Sequence, residues 1–103
     1  MILRIWSARA TEAGAGDYHR YFETTLLPEL RKLPGFRSGH LLARQDGDVV
    51  ALTTHTFWDS EDAVRVFAGD DLTKAVVEPE ARAFLLHMDT EVTHWNVLTE
   101  TRA

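Results

Sequence analysis

The sequence contains no cysteine in its 103 residues, so it forms no disulfide bond and offers no thiolate ligand to a metal. It also lacks any apolar run near the roughly 20 residues that span a bilayer. The opening segment Met1–Trp6 is too short and too soon charged for a signal peptide. Together with a length that suits one hydrophobic core, these absences predict a cytoplasmic protein with one domain over residues 1–103.

Basic residues are scarce, and they become rarer toward the end of the chain. Lysine and arginine total 11 against 16 aspartate and glutamate, for a formal net charge of −5. Residues 1–51 carry seven basic and six acidic side chains, whereas residues 52–103 carry four and ten. Because nucleic-acid phosphates and anionic membrane surfaces both attract clustered Lys and Arg, the composition argues against nucleic acid and against a membrane as partners.

The first third of the sequence predicts a strand followed by a helix. Residues 2–10 mix large apolar and polar side chains as a strand does, and the Gly-rich stretch Ala13–Gly16 is expected to follow its end. Asp17 is then the expected helix cap. Pro28 predicts a bend between Thr24 and Pro28, because proline lacks the backbone donor. The apolar stripe that turns this helix toward a core comprises Tyr18, Phe22, Leu26, Leu30 and Leu33.

A hairpin is predicted in the middle of the sequence. Phe36–Gln45 and Val49–Trp58 are strand-like runs on either side of Asp46-Gly47-Asp48, and Asp-Gly between such runs is typical of a tight turn. If Asp46 pairs with Val49, His40 and His55 lie opposite each other across the two strands.

The remaining sequence predicts a second helix and a last strand. Asp59–Asp62 can cap a short helix that ends at Gly69, a further helical turn or two follow, and Val92–Leu98 is β-branched and aromatic. The order of elements predicts an α+β, ferredoxin-like β-α-β-β-α-β fold. It has a four-stranded antiparallel sheet with the helices on one face.

The first strand indicates that both faces of this sheet are apolar. Ile2, Trp6 and Ala8 alternate onto one face, while Leu3 and Ile5 lie on the other. Because the helices cover one face only, we expect a homodimer in which a second copy packs against the uncovered face.

Five short segments resemble the small antibiotic biosynthesis monooxygenase-like proteins of the dimeric α/β-barrel superfamily, and the resemblance spans nearly the whole chain. It implies a dimeric α/β barrel formed by two chains, with a ligand pocket between each sheet and its own helices. It also implies one of two chemistries, either cofactor-free oxidation of polycyclic aromatic compounds by O2 or the degradation of haem. The segments are Ile2-Leu3-Arg4-Ile5-Trp6, Leu33-Pro34-Gly35-Phe36, Phe57-Trp58-Asp59-Ser60-Glu61-Asp62-Ala63, Phe84-Leu85-Leu86 and Val92-Thr93-His94-Trp95.

The resemblance disfavours haem degradation. The haem-degrading relatives use an Asn in the first strand, a Trp in the second helix and a His shortly after it. Those positions fall near Ser7, Phe67 and Val77 here. Because the iron ligand is among the missing residues, we expect no haem and no other cofactor.

The candidate catalytic residues are histidines and one tryptophan. The sequence has no phosphate-binding glycine loop, no metal-ligand spacing and no serine nucleophile motif, so we expect no metal either. Cofactor-free oxidation needs a base that removes a proton from a phenol or enol, and His94 and His55 are the candidates. Trp58 falls where the polyketide-oxidising relatives carry a pocket Trp, so we expect it to position the substrate. The candidate substrate-binding residues are Tyr18, Phe22, Thr54 and Asn96.

Three functions remain open on the sequence alone. The first is a cofactor-independent monooxygenase or oxidase that acts on an aromatic phenolic or quinoid small molecule. The second is a non-catalytic dimer, either a small-ligand-binding module or a stress-associated protein. The third, which the missing residues disfavour, is a protein that binds haem or another tetrapyrrole. A cavity of a few hundred Å³ beside the candidate residues favours the enzyme, because ligand sites are mostly preformed.

Overall fold

The computed structural model describes residues 1–103 and contains five strands and four α-helices. A π-helical turn, Phe22–Leu26, joins the first two helices. No helix is both long enough and apolar enough to cross a membrane. The elements are β1 (Ile2–Ala10), α1 (Glu12–Tyr21), α2 (Leu27–Arg31), β2 (Phe36–Asp46), β3 (Val49–Trp58), α3 (Glu61–Ala68), α4 (Pro79–Arg82), β4 (His87–Met88) and β5 (Thr93–Asn96).

The strands form an antiparallel sheet in the order β2-β3-β1-β4, and β5 also pairs with β1. This order confirms the predicted α+β, ferredoxin-like fold. The expected four strands are five, because the last strand is divided: Met88 pairs with Ala8, and Thr93 pairs with Ile5. Between β4 and β5, the Asp89 amide still donates to Ser7 O of β1, but Thr90–Val92 turn away and bond instead to residues 73–75.

The first helix begins six residues earlier than predicted. Thr11, not Asp17, is its cap, and the Thr11 side chain accepts a hydrogen bond from the Gly14 amide at 3.0 Å. Gly14 and Gly16 are helical, although the predicted cap at Asp17 left them outside the helix. The close approach of another segment explains one of them: a Cβ at Gly14 would lie 2.3 Å from the backbone oxygen of Phe84.

The bend predicted before Pro28 takes the form of the π-helical turn. The Leu27 amide bonds to the Phe22 carbonyl, five residues back, instead of four. Pro28 then stands in the first turn of α2, the helical position that tolerates proline best.

The hairpin has the predicted register. Asp46 pairs with Val49, and His40 pairs with His55. Gly47 adopts a φ of 62°, which a glycine in this turn accepts without strain. The register of a tight hairpin is set by its turn, so the sequence was sufficient here.

The two faces of the sheet differ in burial. On β1, Ile2, Arg4, Trp6 and Ala8 are buried against the helices. The alternate residues lie on the face that we call the outer face, where all but the exposed Arg9 are half-buried. That face also carries large exposed side chains, with Leu42 47% and Trp95 59% exposed. The apolar outer face is the one on which the sequence predicted a second copy.

Candidate functional site

A cavity lies between the helix-covered face of the sheet and the helices. The space free of atoms, counted out to its open mouth, is about 540 Å³, but the centre of a water molecule fits in only about 40 Å³ of it. The cavity is therefore narrow, with room for about three waters. β1 and β3 supply Arg4, Trp6, Thr54 and Thr56, and the helical segments supply Tyr18, Tyr21 and Phe22 among others.

Aromatic rings form one wall of the cavity. Trp6 and Tyr18 stack with their centroids 5.7 Å apart, and Tyr21 meets Tyr18 edge-on. The indole N–H of Trp6 donates to the backbone oxygen of Asp89 at 2.8 Å, which fixes the ring. A flat aromatic ligand is the kind of molecule that such a wall accommodates, because offset stacking adds to the area that is buried.

Three hydroxyl groups on the wall, Tyr18 Oη, Tyr21 Oη and Thr54 Oγ1, have no hydrogen-bond partner within the protein. No polar side-chain atom is both buried away from solvent and unpaired, so each of these hydroxyls must reach open space. All three residues line the cavity. Burial, and then the nearby Tyr21, raise the pKa of Tyr18, so its phenol stays protonated and can donate.

Arg4 is the residue at this site that the sequence analysis missed. It is only 4% exposed, and it lies on the buried face of β1 between Ile2 and Trp6. Burial lowers the pKa of Arg4 to about 10, so the side chain stays charged at neutral pH. The sequence indicates this position. Side chains alternate between the two faces of a strand, so Arg4 shares the buried face of Ile2, Trp6 and Ala8.

The guanidinium of Arg4 is held by neutral acceptors alone. Its Nη1 donates to Leu72 O at 2.9 Å and lies 2.9 Å from His94 Nε2, while its Nη2 donates to Lys74 O at 2.8 Å. The ring of Phe67 lies 5.8 Å from the guanidinium carbon. None of the ion pairs within 4.0 Å includes Arg4.

His94 contacts the cavity only through Arg4. Because a guanidinium can only donate, His94 Nε2 must be the acceptor and the proton of the neutral ring sits on Nδ1. Burial, followed by the charge of Arg4, lowers the pKa of His94, and Glu61 partly opposes this. The imidazole is therefore neutral at pH 7, but Arg4 occupies the lone pair that a base would use.

The structure separates the other predicted site residues. Tyr18, Phe22 and Thr54 line the cavity, whereas His55 lies on the outer face, opposite His40. Trp58 is 0% exposed and does not line the cavity, since its ring stacks on Phe67 and its N–H donates to Thr56 Oγ1 at 3.0 Å. Asn96 lies exposed on β5, away from the cavity wall.

The fold is shared with solved structures of antibiotic biosynthesis monooxygenase-like proteins. A Bacillus cereus protein named as such a monooxygenase has a TM-score of 0.66 at 15% identity, covering 99% of this chain and 97% of its own. SnoaB, a cofactor-independent oxygenase from Streptomyces nogalater, has a TM-score of 0.64 at 18% identity, covering 96% and 95%. The haem degrader MhuD from Mycobacterium tuberculosis has a TM-score of 0.61 at 18% identity, covering 99% and 100%. No protein-family profile and no curated protein matches the sequence.

These structures confirm the fold that the resemblance implied. The chain has the architecture of the antibiotic biosynthesis monooxygenase-like proteins, a fold on which both cofactor-independent oxygenation and haem degradation occur. At identities below 20% the likeness carries no residue roles to this chain.

A haem group does not fit the residues at the cavity. No histidine, cysteine or methionine lines it, and Val77, near which the resemblance placed the missing iron ligand, is apolar. Tyr18 is a poor substitute, because its raised pKa disfavours the phenolate that would bind iron. Ser7 faces away from the cavity and lies 3.2 Å from the Thr53 hydroxyl on the outer face.

Proposed function

We propose that this chain is a cofactor-independent monooxygenase or oxidase that acts on an aromatic phenolic or quinoid small molecule. The observation that carries the proposal is the wall of stacked aromatic rings with three unpartnered hydroxyls, Tyr18 Oη, Tyr21 Oη and Thr54 Oγ1. Stacking would hold a flat ring, and the hydroxyls would orient its oxygen substituents. The fold shared with SnoaB, which is described as a cofactor-independent oxygenase, supports the same proposal.

The chemistry needs no redox group from the protein. Loss of a proton converts a phenol or enol into an electron-rich anion, which transfers electrons directly to O2. In monooxygenation of a ring CH2 to C=O, one oxygen atom enters the substrate and the other leaves as water with the two hydrogens. In oxidation of a hydroquinone, two electrons and two protons pass to O2 and give H2O2. The protein's part is to take the proton and to stabilise the anion.

His94 is the histidine that we propose as proton acceptor. Of the five histidines, it is the one that hydrogen-bonds a cavity residue, and its neutral ring has the lone pair that a base needs. The role requires His94 Nε2 to leave Arg4 when the substrate enters. His55 lies on the opposite side of the sheet, so His55 cannot reach a substrate bound in its own cavity.

We also propose that the chain works as a homodimer. The outer face carries half-buried Leu3, Ile5 and Phe57 and the exposed Trp95, an apolar surface that water would otherwise cover. A second copy placed there would bury it and leave the cavity on the far side of each sheet.

The narrowness of the cavity favours a second candidate, a non-catalytic module that binds a small ligand. Water centres fit in about 40 Å³, and no histidine lines the wall. Binding without turnover would need only the aromatic wall and its unpartnered hydroxyls.

Oxygen uptake separates the two candidates. The purified, chelator-treated protein is mixed with anthrone-like and hydroquinone compounds, and O2 consumption is followed beside the variants Thr54→Val, His94→Gln and, as a control on the outer face, His55→Gln. Uptake above the uncatalysed rate that falls at least about tenfold in His94→Gln and persists in His55→Gln supports the enzyme. Compounds that bind without O2 uptake establish the binding module instead.

A further inference from the structure

The charge of Arg4 is not compensated within the protein. A guanidinium has five N–H groups, of which three point at Leu72 O, Lys74 O and His94 Nε2. One N–H on Nη2 and the N–H on Nε have no acceptor. Since no sealed polar atom is unpaired, the Nε group reaches open space, and Arg4 lines the cavity.

Burying such a charge is costly. An ion with neutral acceptors alone loses hydration that only an opposite charge restores fully. Two carboxylates lie near Arg4, but neither forms an ion pair with it. Glu78 lines the cavity, yet its carboxylate is not within 4.0 Å of the Arg4 guanidinium. Glu61 acts on the neighbouring His94, whose pKa it raises. Arg4 is thus the one cation on the cavity wall, and it is set among aromatic rings.

We propose that Arg4 forms an anion subsite, and that the ligand of this cavity is an aromatic molecule with an anionic oxygen, either a carboxylate or an ionised hydroxyl. The inference rests on the proposed function in that it takes the cavity to be the ligand site. The open N–H groups would donate to the anionic oxygen, while the ring would stack against Trp6 and Tyr18.

A purely structural role for Arg4 does not account for its charge. The bonds to Leu72 O and Lys74 O tie the segment after α3 to the sheet, and a neutral donor of similar length could make them. A positive charge in a cavity strengthens the binding of an anion, because charge-assisted hydrogen bonds are roughly twice as strong as neutral ones.

Matched aromatic probes test the subsite. Calorimetry at pH 7.5 gives the affinities of 2-naphthoate, its neutral isostere 2-naphthamide, and 2,4-dinitro-1-naphthol, which is ionised at that pH. We expect at least one of the two anions to bind about tenfold or more tightly than the amide, since a hydrogen bond to a charged group contributes that much. Which anion binds better distinguishes a carboxylate from an ionised hydroxyl.

Variants assign that preference to Arg4. Arg4→Met should reduce the ratio of anion to amide affinity to about one, Arg4→Lys should keep part of it, and Arg9→Met should keep all of it. Arg9 is the matched control, because it lies on the same strand but is solvent-exposed and paired with Asp46. If Arg4→Met fails to fold, the wild-type protein still decides: the NMR signals of the Arg4 guanidinium and the His94 ring should shift with the anion and not with the amide.

The outcomes separate this inference from the proposed function. Equal binding of the anions and the amide, or a preference that survives Arg4→Met, overturns the anion subsite and leaves the aromatic cavity standing. Failure of every probe to bind overturns both.

Discussion

Two glycines in α1 offer a test of the packing that positions the aromatic wall. Alanine favours a helix over glycine by about 1 kcal/mol, so the same substitution should help at both positions unless space forbids it. At Gly16 nothing lies within 4 Å of an added Cβ. At Gly14 that Cβ would lie 2.3 Å from Phe84 O, a backbone atom, and 3.2 Å from Thr11 Oγ1, the cap of the helix.

The expected effects therefore have opposite signs. Gly16→Ala should raise the free energy of unfolding by about 0.5–1 kcal/mol. In Gly14→Ala, an overpacking cost of about 1–3 kcal/mol outweighs the same gain, for a net loss of up to about 2 kcal/mol. The two variants should then differ by roughly 1–3 kcal/mol, the whole of which comes from the clash.

Urea and thermal unfolding at one protein concentration measure the difference. Each kcal/mol corresponds to about 4–8 °C in Tm for a domain of this size. Both glycines lie on the helix side of the sheet, so any contribution from dimerisation affects the two variants equally. Equal stabilisation of both variants would refute the close contact between α1 and Phe84. Loss of stability in Gly16→Ala would show that α1 does not extend over this glycine.

Three further predictions concern the site and the core. Trp58→Phe should lower the free energy of unfolding by about 1–3 kcal/mol, measured by urea denaturation, because the fully buried indole loses volume and a hydrogen bond. Thr54→Val should weaken binding of 2-naphthol about 2- to 10-fold in calorimetry, whereas Thr53→Val on the outer face should not. Because the folded state lowers the pKa of His94, the unfolded chain takes up the proton first, so the wild-type protein should lose stability as pH falls below about 6.5. Between pH 7.5 and 5.5, the His94→Gln variant should therefore lose less stability than the wild-type protein. Equal pH dependence of the two proteins in urea unfolding would contradict the lowered pKa of His94.

The features that the sequence predicted correctly are local ones. The Asp-Gly turn sets the register of its hairpin, so the pairing of His40 with His55 followed from three residues. The alternation of β1 likewise placed Trp6 and Ile5 on opposite faces. In both cases neighbouring residues determine the outcome, and no distant contact is needed.

The features that were missed depend on distant contacts or on a rule that was not applied. Gly14 reads as a helix breaker until the approach of Phe84 is known. Charge is rare on a buried strand face, so composition alone does not point to Arg4, although Arg4 alternates in register with Ile2 and Trp6. His55 and Trp58 lie on opposite faces of the sheet, because they are an odd and an even position of one strand.

The narrow cavity implies that a two-ring ligand must displace part of its wall, and the segment from Asp70 to Glu78 is the part that can yield. The segment has no helix. Besides Arg4 and the packing of its apolar side chains, three backbone bonds hold it to the rest of the molecule: Ala75 N to Thr90 O, Val92 N to Thr73 O, and Arg82 N to Glu78 O. The sheet and α1 would lose many more hydrogen bonds by moving. We therefore expect 2-naphthoate to speed hydrogen exchange at the Ala75 and Val92 amides while amides within β1 and β3 stay protected. Bound ligand with unchanged exchange at both amides would mean that the cavity opens elsewhere.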